Sequence, residues 1–471
     1  MSSAGRSFAE RAGVAGDERE LAVTAVLAAA AQAELRTVRV SFADQHGLLR
    51  TKTVPTDRLT EVMHQGLGIP GSLLAKDTAD TYAVPLWTPS GLPTLDGLVG
   101  AQDMVMLADP AMFRVLPWLD ATGWLLCDLY TTGAEPIALS TRRLCQQAAH
   151  ALADAGYHLQ AGLEIELHLY DAADGRPIHP GWELLGENHA DLVHDRIEPL
   201  CAGLDALGLP PRSMEVELGP GQIELTFPQA EAGAMADAAV LVRSAVSQLA
   251  RRHGMRASFM CRPAIEESFP SGWHLHQSLT DSGGGNCFVP EPARDGANSL
   301  LSETGRHWVG GLLTHAAQSC LLSTPTVNGY KRYRPNSVAP DRVAWSRQHR
   351  GAMLRVIGGP GDPATRVENR AGDPAANPYL YVASQLVAGL DGLCNRREPP
   401  AAAIAPYHPD AGPRLPRSLG EAIEAFEQAT VYRKAWGNEV VDYLATLKRS
   451  EWSRFLSSVT DWEQREYFEL F

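Results

Sequence analysis

The stretch "GLEIELHLY", residues 162–170, decides how the rest of the chain is read. Leu163, Ile165, Leu167 and Leu169 alternate with Glu164, Glu166, His168 and Tyr170. A strand with this period of two buries one apolar face and lines the other with two carboxylates two residues apart. Like charges held that close in an interior need a counter-charge.

The pattern recurs. In "SMEVELGPGQIELTF" (213–227), Glu215 and Glu217 share a face, and a Gly-Pro-Gly turn leads to a strand whose polar face carries Glu224. His274 and His276 share a face of "SGWHLHQSL" (271–279), and Arg366, Glu368 and Arg370 share one of "TRVENR" (365–370). For any one strand a solvated edge face is the plainer reading; recurrence on separated strands argues against it. Carboxylates buried together without compensation cost several kcal/mol each and are driven to hold their protons. A divalent cation removes that cost. A glutamate-rich set with at most one imidazole suits a hard ion, Mg²⁺ or Mn²⁺, better than Zn²⁺. Arginines beside it suit phosphate, because the guanidinium fork pairs bidentately with oxyanions.

The bulk numbers bound the class. The chain has 471 residues, 45% hydrophobic and 20% charged, long enough for two domains and a large core. Its formal net charge of −14 argues against nucleic acid as a partner. No stretch reaches the roughly 18 uninterrupted apolar residues of a membrane span. The seven scattered cysteines, with no CxxC pair, read as buried reduced thiols of a cytoplasmic protein.

Along the chain, residues 1–17 lack an apolar signal core and are expected to be a disordered tail. An Ala-rich helix over 18–35 precedes two strands, "RTVRVSFAD" and "LLRTKTVP", in a hairpin-like unit. The Gly- and Pro-dense segment 66–103 reads as a long loop, functional or inserted. Helices are expected at 141–155, 190–208 and 231–253. Residues 397–418 read as an irregular excursion and 419–471 as helical.

Taken in order, "GLEIELHLY", "ELGPGQIEL", "SGWHLHQSL", "NGYKRYRPNSVAPDRVAWSRQHRGAMLRV" (328–356) and "RVENRAGDPAANPYLYVASQLVAGLDGL" (366–393) resemble the motifs of the glutamine synthetase superfamily. The resemblance implies an α+β fold. A small N-terminal β-grasp-like domain (18–109) would precede a large catalytic domain (110–471) with a curved antiparallel sheet flanked by helices. It implies that Glu166, Glu217 and Glu224 hold one metal ion and Glu164, His274 and Glu368 another. His276 and Ser278 would face the nucleotide, Arg332 and Arg370 the glutamate and the transferring phosphoryl group, and Arg350 and Arg355 the ATP phosphates. The implied chemistry is transfer of the ATP γ-phosphoryl group to the γ-carboxylate of glutamate, followed by attack of an amine. The implied assembly is a stack of rings, a dodecamer, with each site shared between neighbours.

Two departures bear on the amine. Ammonia-using members bind ammonium with an Asp in a small-domain loop and a Glu in a flap. Here "IPGSLL" places Pro70 at the first and "SVAP" places Val338 at the second. Ammonium ions, with pKa near 10 by analogy with Lys, need a counter-charge and a base, and this pair offers neither. The resemblance is therefore to the γ-glutamylamide ligases, the γ-glutamylanilide and γ-glutamylpolyamine branches. An arylamine is neutral at pH 7, and Tyr82 and Trp87 in "TYAVPLWTPSGL" suit an apolar ring, although Trp87 fits surface packing equally well. Asp77, Asp80 and Asp103 keep a polyamine open. Plain glutamine synthesis and a scaffold without catalysis are the remaining alternatives. A further departure is "FPSGW", with Phe269 and Pro270 where the family has small residues beside the glutamate.

Among lesser signals, His46, His64 and His253 read as surface or turn residues. His168 reads as a rim residue or a support to the carboxylates, Glu215 as a nucleotide contact or solvated, and the Asp and Asn of "GDPAANPYL" as helix caps.

Overall fold

The computed structural model describes residues 5–264, 267–290 and 300–471. Two sheets organise it. The first has six strands: β1 (Thr37–Ala43), β2 (Leu49–Pro55), β3 (Leu67–Pro70), β4 (Asp103–Ala108), β5 (Arg114–Val115) and β6 (Thr122–Thr131). Their order is β2-β1-β6-β4-β3, with β5 also on β6; β1 and β6 run parallel and the other pairs antiparallel.

The second sheet has nine strands: β7 (His158–Asp171), β8 (Ser213–Val216), β9 (Gln222–Thr226), β10 (Ala230–Glu231), β11 (Met255–Ser258), β12 (Trp273–Thr280), β13 (Trp345–Arg347), β14 (Leu354–Ile357) and β15 (Arg366–Gly372). It is ordered β13-β14-β15-β12-β7-β9-β8, with β10 and β11 also on β7, and is antiparallel except between β13 and β14. The expected α+β class with a curved antiparallel sheet is the fold found. The alternation of β7 acts here as anticipated: Leu163, Ile165, Leu167 and Leu169 are fully buried against the helices Ala232–Arg252 and Thr141–Asp154. The other face is left for the acids.

Helices occupy Asp17–Gln32, Thr141–Asp154, Glu187–Ala206 and Ala232–Arg252, each close to its expected span. Asn377 caps the helix Pro378–Cys394, accepting from the amides of Tyr379 and Leu380. The C-terminal part carries Leu419–Glu427, Thr430–Trp436, Asn438–Leu456 and Asp461–Tyr467. No helix of the described residues is long and apolar enough to cross a membrane.

Three expectations are corrected. Within 1–17, the turn Phe8–Arg11 is helical, closed by a Ser7–Glu10 capping box, and Phe8 packs edge-on against Tyr130; residues 1–4 lie outside the described ones. Segment 66–103 is not one loop. It contains β3, a tight turn Gly71–Ala75 and the short helix Pro93–Asp96, with Leu74, Val84, Leu86, Leu95 and Leu98 buried. A four-residue edge strand ending in Pro gives little period to read. The thiols are free, but Cys201 and Cys287 are only half-buried and Cys394 is exposed.

A buried cation helps to join the two sheets. Arg142 reaches Asp109 (2.8 Å), Asp128 (3.0 Å) and both oxygens of Asp237 (2.9 Å each), and Tyr379 donates its hydroxyl to Asp237 (2.6 Å). Asp128 belongs to the first sheet and Asp109 directly follows its strand β4; Arg142, Asp237 and Tyr379 stand on helices that pack behind the second. Burial pushes the Asp128 carboxyl up and Arg142 works against that. Arg142→Met strands three carboxylates, so a loss of roughly 3–5 kcal/mol is expected, read as a lowered urea midpoint.

Candidate active site

Strand register assembles the site. Glu164 on β7 lies opposite His274 on β12, Glu166 opposite Glu224 on β9, and Glu368 on β15 opposite His276 and Arg355. Two glycines permit the approach. Gly221 sits at φ +67, where a Cβ would meet the Leu169 carbonyl at 2.5 Å, so the β8–β9 turn can fold under β7. A Cβ on Gly272 would stand 2.5 Å from Arg332 Nη2 and 2.8 Å from His274 Nε2.

The side chains converge. His274 Nδ1 donates to Glu164 Oε1 (2.5 Å) and His276 Nε2 to Glu164 Oε2 (2.9 Å). Arg332 Nη2 donates to His274 Nε2 (3.1 Å) and Arg366 Nε to His276 Nδ1 (3.1 Å), which sets both tautomers. Glu368, fully buried, accepts from Arg355 Nη1 (3.0 Å) and from Arg370. Glu164, Glu224 and His274 each offer a ligand atom within 4.8 Å of the others, as do Glu164, His276 and Glu368.

Glu164 belongs to both of these groups, and His274 Nδ1 also lies 3.6 Å from Glu368 Oε1, so the expected set of Glu164, His274 and Glu368 is likewise brought close. Glu166 commits Oε2 to Gln222 Nε2 (2.7 Å) and the Gly272 amide (3.0 Å), leaving Oε1 at 3.7 Å from His274. Glu217 lies just past the end of β8, half-buried, and its Oε2 accepts from the Leu218 amide.

Beside the acids opens a cleft of about 600 Å³, lined by Arg212, Glu215, Phe227, His276, Ser278, Arg355 and Arg366 among others. It holds three of the residues expected at the nucleotide: His276, Ser278 and Arg355. Arg350 is exposed, and only its carbonyl reaches the site, accepting from Arg370 Nε (2.9 Å). Val338 lies near the acids through its carbonyl, which accepts from Arg370 Nη2 (3.2 Å); its backbone is left-handed at φ +60, a strained state for a β-branched residue. Pro70 stands exposed in the first sheet, at the end of β3 and opposite Asp103.

Supporting residues were not assigned in the sequence. Gln222 and Ser271 are fully buried; Gln222 also bonds Ser271 Oγ (3.1 Å), which lies 3.3 Å from His168 Nδ1. Gln222 lies two residues before Glu224, so the same alternation that marks the acid also marks it. His168 is no rim residue: it is fully buried, and burial pushes its imidazole down to about 4. The arginines Arg212 and Arg366 also went unassigned.

Electrostatically the cluster is divided. Burial pushes the Glu166, Glu217 and Glu224 carboxyls up, and neighbouring carboxylates add to this. Burial would also raise Glu164 and Glu368, but His274 and His276 hold the former low and Arg370 with His274 the latter. Burial and then Arg370 push His274 down to about 4, which favours the neutral ring, although its lone pair on Nε2 accepts from Arg332 here. The carboxyls pushed up lie at the place that a divalent cation suits, and an oxygen-rich set with neutral imidazole fits such an ion.

Comparison with known proteins gives a consistent result. The family model for the glutamine synthetase catalytic domain matches residues 138–467. The chain is 40% identical to the gamma-glutamylanilide synthase of an Acinetobacter species, over 96% of this chain and 97% of that protein. It is 32% identical to the gamma-glutamylethanolamide synthetase of Streptomyces coelicolor, over 95% and 96%. The ligand-free structure of GmaS superposes with a TM-score of 0.80 at 27% identity, covering 94% of this chain and 99% of that one.

The raised acids set a pH dependence. A carboxyl whose folded pKa lies above the ordinary 4.5 binds more protons folded than unfolded, so the metal-free protein loses stability as pH rises past that value. An ion replaces those protons. The gain in Tm on adding Mg²⁺ should therefore be larger at pH 8 than at pH 6, with proton release in calorimetry; equal gains would contradict it.

Proposed function

The chain belongs to the glutamine synthetase family and is an ATP-dependent amide-forming ligase, and from that premise we propose that it joins the γ-carboxylate of L-glutamate to an aromatic or otherwise apolar amine. Family members use ATP and divalent metal ions; the ion proposed here is Mg²⁺ or Mn²⁺, held by Glu164, Glu166, Glu217, Glu224, His274 and Glu368. Held there, such ions would supply positive charge against the charge developing in phosphoryl transfer.

The chain's own residues do the rest. Arg355, His276 and Ser278 line the cleft beside the acids and receive the nucleotide. Arg332 and Arg370, both buried and anchored on backbone carbonyls, aim their remaining N–H groups at the carboxylate being activated and the phosphoryl group in flight. Arg350 sits at the exposed rim, where it can fold onto the ATP phosphates. The product of this step is γ-glutamyl phosphate, and the amine then displaces phosphate.

The observation that carries the choice of amine is the pair Pro70 and Val338. Neither can neutralise an ammonium or take its proton, and an arylamine needs neither service. The structure's handling of nearby acids favours the same reading. Asp77, one candidate partner for a polyamine, is buried and spent on Ser450, Arg454, Thr81 and the Ala79 amide, which hold its carboxyl down at about 2 against the effect of burial. Asp80 is paired with Lys76. Asp103 is exposed beside Pro70, and on it rests the second reading, an amine carrying a distal ammonium. The 40% identity to a gamma-glutamylanilide synthase supports the first. A ring-stacked homo-oligomer, in which the Pro70 strand of one copy completes the site of the next, is part of the proposal, as is a cytoplasmic setting.

A panel of anilines, alkylamines, polyamines and ammonium, with ATP, Mg²⁺ and glutamate, tests this by phosphate release and product mass. Anilines should give the highest kcat/KM; ammonium giving the highest would refute the reading of Pro70 and Val338. Restoring acids, Pro70→Asp with Val338→Glu, should raise kcat/KM for ammonium on the order of tenfold, about 1.4 kcal/mol of transition-state stabilisation.

A further inference from the structure

A second charged cleft lies away from the acids, between the first sheet and the helix Ala232–Arg252. It measures about 250 Å³ and is lined by Arg39 of β1, Thr51 of β2, Trp118, Trp124 of β6, and Ser244, Gln248, Arg251 and Arg252 of the helix, among others. Three guanidinium groups share it. No carboxylate lines it, and no described carboxylate forms an ion pair with Arg39, Arg251 or Arg252. In a chain of net charge −14 such a gathering of unpaired cations runs against the average field.

The hydrogen bonds sharpen the point. Gln248 Oε1, the side-chain acceptor facing the arginines, is already taken by Arg39 Nη1 (3.0 Å) and Trp118 Nε1 (3.2 Å). Gln248 Nε2 donates to Ser244 Oγ (2.9 Å), which leaves the Ser244 hydroxyl hydrogen free. Arg252 is tied to the carbonyls of Trp118 (3.2 Å) and Gln248 (3.1 Å), fixing its position over the cleft with Nη2 to spare. The Arg251 side chain makes no bond among the described residues. What remains free is a set of donors: Arg39 Nε and Nη2, Arg251, Arg252 Nη2 and Ser244. Mutual repulsion within it is visible at Arg39, which burial and then Arg252 and Arg251 push down.

We propose that this cleft binds a small multivalent oxyanion, a phosphate ester or a di- or tricarboxylate, at a site separate from the catalytic one. The guanidinium forks match such anions bidentately. A ligand there would bridge β1 and β2 to the helix that backs β7, and so tie the first sheet to the catalytic sheet.

Calorimetric titration of the full chain at low salt tests this, with inorganic phosphate, AMP and citrate as separate probes. One site per chain is expected for at least one probe, weakened at least tenfold in Arg39→Gln and in Arg251→Gln, with turnover unchanged. Arg251→Gln loses no bond of the fold, so it keeps the test readable if Arg39→Gln unfolds. The pattern across probes tells phosphate from carboxylate recognition. Binding equal in wild type and variants would place the anion at Arg332, Arg350 and Arg370 and overturn the proposal. So would absence of binding, or a changed oligomeric state in the variants, which would mean that carboxylates of a second copy fill the cleft.

Discussion

The structure turns on carboxylate repulsion that is held in check without a ligand only by protons and by histidine and arginine partners. Register on β7, β9, β12 and β15 forces Glu164, Glu166, Glu224 and Glu368 into one depression, where Glu166 and Glu224 favour the protonated form and Glu164 and Glu368 stay ionised only through histidine and arginine partners. A fold optimised for stability alone would replace these groups with apolar ones of equal size. Their convergence makes sense for a site that exchanges protons for metal, as proposed above, and then uses the metal's charge.

Around that centre, the arginines play unequal parts. Arg332 and Arg370 are locked by carbonyl oxygens and are pre-organised. Arg355 leans on Glu368, and Arg350 is free at the rim. In the reading proposed above, the fixed charge would align the reacting groups and the movable charge would let a nucleotide enter and leave. The strained Val338 backbone gives its carbonyl to Arg370 and so joins the proposed amine side to the same arginine pair.

Much of this was legible in the sequence because strands with one polar face declare themselves by period two. The acids, both histidines and the arginines of β15 could be marked from alternation, and the motifs they form carried the family. What alternation cannot say is which polar face turns inward, so His168 read as a rim residue although it lies fully buried beside Ser271. Nor can it show long-range capture. Asp77 looked available until the helix Asn438–Leu456 brought Ser450 and Arg454 to it across more than 370 positions of chain. The β3 strand escaped notice because four residues ending in Pro leave no period, and nothing in the alternation of side chains marks the left-handed state of Val338.

The Arg142 knot limits how this molecule can breathe. Asp109 and Asp128 come from the side of the small sheet, and Arg142 and Asp237 from the helices behind the other, so swinging the small sheet away would break two of its three ion pairs at once. Whatever gating accompanies turnover must then be parochial, a matter of the segment around Val338 and the rim near Arg350, with the bulk of the scaffold standing still.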